Sequence, residues 1–288
     1  MVYELLKSTS NSAETPLNDI SQELFAVMQN SEIFWKAPFP RHKMVFKCTS
    51  DIVVKAIRGM NYYTEYTTLQ YLQEHKPSIP TPRPLGLVRM GGISLVFMTY
   101  IPSNTLGEVW NALDDSQKTS VRDQLDMILT DLRSIPYVNE RPLGGVGGEG
   151  CKDVRRHLRQ SDVPINTHAA FEDFMFSSPH PGGQVFAQFL HQLSPKLSSF
   201  PNTVFTHGDL RPDNITVEMD ESNRCIVTGL LDWEYSGFYP EYYEAIRCTN
   251  CLGPREDNDW FLFLPDCISP KRYFHWWLLD RVRERMLL

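Results

Sequence analysis

Residues 203–232 restrict this chain to few folds. Val204-Phe205-Thr206 reads as a short strand entering the polar run His207-Gly208-Asp209-Leu210-Arg211-Pro212-Asp213-Asn214, and Ile215-Thr216-Val217 reads as a strand leaving it. Asp220-Glu221-Ser222-Asn223 is a turn, and residues 225–231 are an apolar strand that runs straight into Asp232-Trp233-Glu234. A hairpin therefore returns Asp232 to the side of Asn214. Any fold the chain adopts must gather a polar loop and a second Asp at one end of that hairpin.

Those residue types at that spacing suit phosphoryl transfer. Asp209 can orient and deprotonate a hydroxyl. Asn214 and Asp232 offer hard oxygen ligands for Mg²⁺, which takes one or two carboxylates plus substrate phosphates. Arg211 supplies a fixed cation where a transferring phosphate carries its charge. Asp and Asn also favour turns for reasons unrelated to chemistry. Two matched pieces at workable spacing favour the chemical reading.

HGDLRPDN and LDWE resemble the catalytic and metal loops of the aminoglycoside phosphotransferase and choline kinase superfamily. The run Asp232-Trp233-Glu234-Tyr235-Ser236-Gly237-Phe238-Tyr239-Pro240-Glu241 is most similar to the fungal phosphotransferase enzyme family proteins. The resemblance implies an α+β, two-lobed, protein-kinase-like fold with a small β-rich N-lobe and a larger, mostly helical C-lobe. It implies Asp209 as catalytic base, with Asn214 and Asp232 as Mg²⁺ ligands and ATP as phosphoryl donor. His207 in such a motif braces the loop.

The N-terminal part agrees with that layout. Residues 43–48 and 52–57 read as a β-hairpin, and residues 61–75 as a helix whose apolar stripe includes Tyr62, Leu69 and Leu72. Glu65 falls on the inward face of that helix, where a carboxylate needs a partner. Lys55, at the end of the preceding strand, is the candidate; Glu74 lies too near the helix end. In the kinase-like layout this Lys holds the nucleotide phosphates and this Glu holds the Lys. The proline-rich residues 77–84 read as a rigid connector. Residues 93–98 form a further strand leading to a hinge at 99–102, where Met98 and Tyr100 either sandwich an adenine or belong to the core. From Leu106 the pattern is helical, with Val121, Leu125, Ile128, Leu129 and Leu132 on one face. The lobes are therefore expected at residues 1–102 and 103–288.

Composition excludes several classes. With 288 residues and 42% hydrophobic content the chain can bury a large core, and no apolar run is long enough to span a bilayer. The first residues lack the features of a signal peptide. Six scattered cysteines fit free thiols in a reducing, cytoplasmic setting. The net charge of −7 argues against nucleic acid as a partner and is compatible with a cationic small-molecule acceptor. A monomer or weak dimer is expected. Glu234, Glu241 and Glu244 either recognise an amine or form an exposed acidic face.

Some features depart from the pattern. Residues 145–150 match G-x-G-x-x-G but lie far downstream of Lys55, so they are expected to be a flexible surface loop rather than a phosphate cradle. Between Pro38 and Cys48, where a kinase glycine loop belongs, there is no glycine; Arg41, His42 and Lys43 stand there instead. Cys248-Thr249-Asn250-Cys251 lacks the further ligands of a zinc site. The aromatic segment from Tyr273, with Arg281, Arg283 and Arg285, is expected to close the larger lobe. The leading function is an ATP- and Mg²⁺-dependent small-molecule kinase. The alternative is a nucleotide-binding pseudokinase or interaction scaffold of the same fold.

Overall fold

A computed structural model of the chain describes residues 17–37, 42–58, 63–90, 92–138, 141–153, 159–177, 183–194 and 202–284. Arg41, Tyr62 and Arg285, together with residues 38–40 at the start of the expected phosphate-loop segment, lie outside the described residues.

Strands β1 (Glu32–Lys36), β2 (Lys43–Lys47), β3 (Ile52–Arg58), β4 (Pro84–Met90) and β5 (Ile93–Thr99) form one antiparallel sheet in the order β1-β2-β3-β5-β4. The period of two along β3 sends its side chains to opposite faces. Val54 joins Leu95 and Phe97 beneath Leu24 of helix α1 (Leu17–Gln29). Val53 joins Val96 and Met98 on the other face, against Leu69 and Leu72 of helix α2 (Thr64–His75). Lys55 shares the parity of Val53, so it reaches the α2 side while lying between Val45 and Val96 in register.

Beyond residue 102 the polypeptide becomes mainly helical. Strand β6 (Asn104–Thr105) leads into the short helix α3 (Leu106–Val109). Helix α4 (Asp115–Arg133) begins at a reciprocal capping box between Asp114 and Gln117 and buries Val121, Leu125, Leu129 and Leu132. Each of those side chains contributes about 1.5–3 kcal/mol on burial. Two short strands, β7 (Lys152–Asp153) and β8 (Arg159–Gln160), pair with each other, and helices α5 (His168–Phe176) and α6 (Gln184–Gln192) follow. Strand β9 (Thr203–Thr206) enters the polar loop, and β10 (Ile215–Met219) and β11 (Cys225–Leu230) form the expected hairpin. Strand β12 (Gly237–Pro240) pairs back onto β9, followed by helix α7 (Tyr243–Arg247). The closing helix α8 (Phe274–Glu284) inserts Trp276 beside Tyr242, and Arg283 reaches the buried Asp153 at 3.0 Å.

The glycine-rich run is a turn with Gly147 and Gly148 exposed at its tip, and the residues just before it are anchored. Gly144 and Phe238 exchange backbone hydrogen bonds of 2.8 and 2.9 Å, and Leu143 bridges Ile165. A Cβ on Gly237 would sit 2.1 Å from the Gly144 carbonyl oxygen, so only glycine permits this approach. The described cysteines are all free thiols, as expected. Among the described residues no helix is long and apolar enough to cross a membrane.

Candidate active site

The polar loop is held from below by two buried side chains. His207 donates from Nε2 to the Leu231 carbonyl (2.9 Å) and accepts the Asp209 amide on Nδ1 (3.2 Å). Burial lowers its pKa, consistent with that neutral tautomer. Glu244 of α7 accepts the backbone N–H groups of His207 (2.6 Å) and Gly208 (3.1 Å). Gly208 has φ of 83°, and a Cβ there would meet the Tyr235 carbonyl oxygen at 2.3 Å. Sequence reasoning gave His207 its bracing role and left Glu244 among acceptor-reading or exposed acids; Glu244 is instead a structural acceptor.

Asp209 stands at the mouth of this loop. The Asn214 side-chain amide donates to its carbonyl (2.8 Å) and to Oδ2 (3.0 Å), and Arg211 Nε lies 3.5 Å from Oδ2. Burial raises the Asp209 pKa, against the opposing pull of Arg211. Arg211 therefore sits on the carboxylate at the mouth of the loop. A cleft of about 230 Å³ opens here, with Asp209, Arg211, Asp213, Arg247, Asn250 and Trp260 among its lining.

The Leu231 amide donates to the Asn214 carbonyl at 2.8 Å, which fixes Asp232 beside Asn214 as the hairpin requires. Asp232 has φ of 65°, a left-handed conformation that costs a non-glycine residue about 1–3 kcal/mol and tends to persist at functional sites. Its Oδ1 lies 2.5 Å from Lys55 Nζ, and the same ammonium lies 2.9 Å from Glu65 Oε2 and 3.3 Å from Glu234 Oε2. Glu234 also pairs with Lys43. Burial works against the charge on Lys55, but Asp232, Glu234 and Glu65 together hold its pKa well above the ordinary lysine value. Burial likewise opposes ionisation of Asp232, and Lys55 and Lys43 overcome it.

The Lys55–Glu65 pair expected from the helix pattern is thus formed, and Glu74 is exposed at the helix end. Glu234 was not expected here. It pairs with Lys43 and Lys55 and is absent from the lining of the cleft beside Asp209, with Trp233 fully buried between it and Asp232. Glu241 is buried too, with its carbonyl accepting from Arg133. None of the three glutamates forms an exposed acidic face. Met98 is buried among Val53 and Val96 in the core, whereas Tyr100 is part-exposed, edge-on to Phe34 with the Lys47 ammonium 4.2 Å from its ring centroid.

Asn214 and Asp232 could offer oxygens to a divalent cation. The carboxylates of Glu65, Asp232 and Glu234 are gathered around the ammonium groups of Lys43 and Lys55, with Lys152 Nζ on the Glu234 carbonyl. The Asn214 amide nitrogen faces Asp209, so its carbonyl oxygen is the end left for a ligand. Among the described residues no three His, Cys, Asp or Glu side chains form a cage, and Mg²⁺ needs none because phosphates and water complete its shell.

Helix α2, which carries Glu65, is tied to the larger part of the molecule by a second polar layer. Lys152 Nζ donates to Thr64 Oγ1 (2.5 Å) and to the Glu234 carbonyl (2.8 Å). Glu149 accepts from Thr67 Oγ1 (2.7 Å) and from the Gly147 amide (2.8 Å), and Thr68 meets Ser236 at 2.7 Å. A Cβ on Gly145 would lie 2.3 Å from Glu149 Oε2 and 3.2 Å from Glu149 Cβ, so glycine at 145 leaves room for this carboxylate. These contacts were not legible in the sequence.

The sequence profile of the phosphotransferase enzyme family matches residues 52–263, from the Lys55 strand to beyond the cleft beside Asp209. The chain belongs to this family. Solved structures of family character share its fold. Aminoglycoside phosphotransferase APH(2")-IIa, in a ternary complex with streptomycin and ATP, superposes with a TM-score of 0.57 at 16% identity, covering 95% of this chain and 86% of that one. An aminoglycoside-3'-phosphotransferase of type VIII gives 0.57 at 16%, covering 95% and 98%. A thermostable mutant of APH(4)-Ia with AMP-PNP and hygromycin B gives 0.56 at 14%, covering 95% and 89%. At such identities the likeness shows the two-lobed, protein-kinase-like α+β fold. Comparison with curated protein sequences returned no match.

Proposed function

We propose that this phosphotransferase moves the γ-phosphoryl group of ATP, with Mg²⁺, to a hydroxyl of a small molecule in the cleft beside Asp209. The observation that carries the reading is the joint placement of Asp209 on that cleft and of Asp232 between Asn214 and the Lys55–Glu65 pair. The lobes are taken as residues 1–102 and 103–288, with nucleotide between them and its base near Met98 and Tyr100. Asn214 and Asp232 would hold Mg²⁺, which when bound neutralises phosphate charge. Lys55 positions the phosphates, and Glu65 positions Lys55.

Asp209 orients the acceptor hydroxyl and takes its proton as the oxygen bonds to the γ-phosphorus. The bond from that phosphorus to the bridging oxygen breaks, and ADP leaves with the electron pair. Arg211 offsets the negative charge on the transferred group. Solved neighbours bind aminoglycosides, which favours an acceptor bearing an amine. In this chain Asp213 and Glu256 are the exposed carboxylates at the cleft that would meet one. A cytoplasmic location and a monomer or weak dimer accompany this reading.

The test is an acceptor screen with ATP and Mg²⁺ across amino alcohols, sugars, hydroxy acids and aminoglycosides, read by ADP release and by the mass of the product. Acceptor-dependent ADP with a phosphorylated product is expected. Tight ATP binding without product from any acceptor would instead favour a nucleotide-binding scaffold.

A further inference from the structure

Besides Arg211 Nε, which lies 3.5 Å from Asp209 Oδ2, the cleft beside Asp209 holds three buried polar atoms without a hydrogen-bond partner among the described residues. Arg247 Nη2, Asn250 Oδ1 and Trp260 Nε1 are closed off from water without a hydrogen-bond partner, and all three residues line the cleft. Buried polar groups are usually paired, and here several open ones share one small surface.

Arg247 is the most telling. It is 3% exposed, and its Nε donates to the Gly208 carbonyl at 3.1 Å, so the catalytic loop fixes where the guanidinium lies. Glu244, one turn earlier on α7, is engaged with the backbone of His207 and Gly208. Asp209 already has Arg211 at 3.5 Å. A buried cationic donor with an open N–H is costly unless a ligand accepts from it. An oxyanion does so with the planar geometry a guanidinium matches. The Trp260 indole adds a second N–H donor, and Asn250 offers an acceptor for a hydroxyl or amine of the same molecule.

We propose that the acceptor carries an oxyanion, a carboxylate or a phosphate, close to the hydroxyl that is phosphorylated, and that Arg247 is the residue that reads it. This deepens the phosphotransferase reading and rests on it for the fate of the hydroxyl; the anion site itself can be tested without turnover. An amine at the rim and an oxyanion at the floor are compatible, which points to zwitterionic hydroxy compounds as the first acceptors to try.

The experiment is titration calorimetry of the full chain with AMP-PNP and Mg²⁺ present, using pairs that differ by one oxyanion. L-homoserine is compared with 3-aminopropan-1-ol, D-glycerate with ethylene glycol, and glycerol 3-phosphate with glycerol. In at least one pair the oxyanion member should bind more tightly by about 30-fold or more, the scale of a buried charge-assisted contact, and Arg247→Gln should erase that preference. The carboxylate and phosphate pairs tell which oxyanion is read. Trp260→Phe keeps the ring and removes the N–H, and should weaken only the oxyanion member. Asn250→Asp adds a competing carboxylate to the cleft and should abolish the preference, which keeps the idea testable if Arg247→Gln does not fold. Equal affinity within every pair, no binding by any member, or a preference that survives Arg247→Gln overturns the proposal. An intact preference with no product in the acceptor screen counts against phosphoryl transfer and leaves the anion site standing. Product formation without any oxyanion preference removes the anion site alone.

Discussion

Lys152 Nζ lies 2.5 Å from Thr64 Oγ1, and Thr64 immediately precedes the carboxylate that holds Lys55. A residue from β7 thereby fixes the first turn of α2 and the register of Glu65. Lys152 does not line the cleft beside Asp209, so its contact with α2 is separate from that surface.

Lys152→Met should therefore weaken the Lys55–Glu65 pair without touching it. Displacing a positioned group by about 1 Å can cost on the order of 10²-fold. The loss should fall mainly on kcat/KM for ATP, with the acceptor KM little changed, as steady-state kinetics with each substrate varied would show. Equal loss for both substrates would mean general unfolding of the region instead.

Stability against pH gives a separate reading of the same lysine. Burial lowers the Lys152 pKa from 10.5 to about 8, despite Glu149 and Glu234 nearby. Below about pH 8 both folded and unfolded chains carry the proton, and folding bears the full cost of burying the charge. Between about 8 and 10.5 the unfolded chain binds more protons, so stability rises with pH. Wild type should gain stability relative to Lys152→Met across that window, measured as the difference in denaturant midpoints. A constant difference would show that Lys152 does not titrate there.

The rate profile should report Asp209. Burial raises its pKa above the ordinary 3.8, and Arg211 pulls it back. A base must be unprotonated, so kcat/KM should fall on the acid side through a pKa above 3.8. Arg211→Gln removes the opposing cation and should move that acid limb to higher pH. A shift to lower pH would contradict the pairing.

Gly145→Ala should be destabilising, since its Cβ would lie 2.3 Å from Glu149 Oε2 and push that carboxylate off Thr67. Overpacking of this kind costs about 1–3 kcal/mol. Thermal melting should show the loss while the affinity for ATP at the melting-corrected temperature stays close to wild type. A large drop in ATP affinity with unchanged stability would place phosphate at the glycine run after all.

Much of this was readable before any coordinates. The residues from His207 to Asn214 and Asp232 declare their own turn chemistry, and one hairpin is enough to bring them together. Glu65 was legible because an acid on the inward face of a helix demands a partner, and Lys55 stood one element away. Glu149, Lys152 and Arg247 left no such mark. Their partners come from α2, 88 residues before Lys152 in the case of Thr64, and from the Gly208 backbone. Local periodicity says nothing about contacts at that range. Glu234 illustrates the same limit: its neighbours in sequence suggested amine recognition, while its neighbours in space are Lys43 and Lys55. The glycine run is the turn its composition suggested; what the sequence could not show is that Gly145 and Gly147 pack against the Glu149 carboxylate.

The most direct measurement is acceptor-dependent turnover by Asp209→Asn, with nucleotide affinity determined on the same preparation. Asn keeps the shape and the contact with Asn214 but cannot take a proton. Turnover should fall by about 10²–10⁴-fold, the usual scale for loss of a general base, while ATP·Mg²⁺ affinity stays near wild type. Asp232→Asn on the same assay should lose the Mg²⁺ dependence of nucleotide binding. Wild-type turnover by Asp209→Asn would contradict the account at its centre.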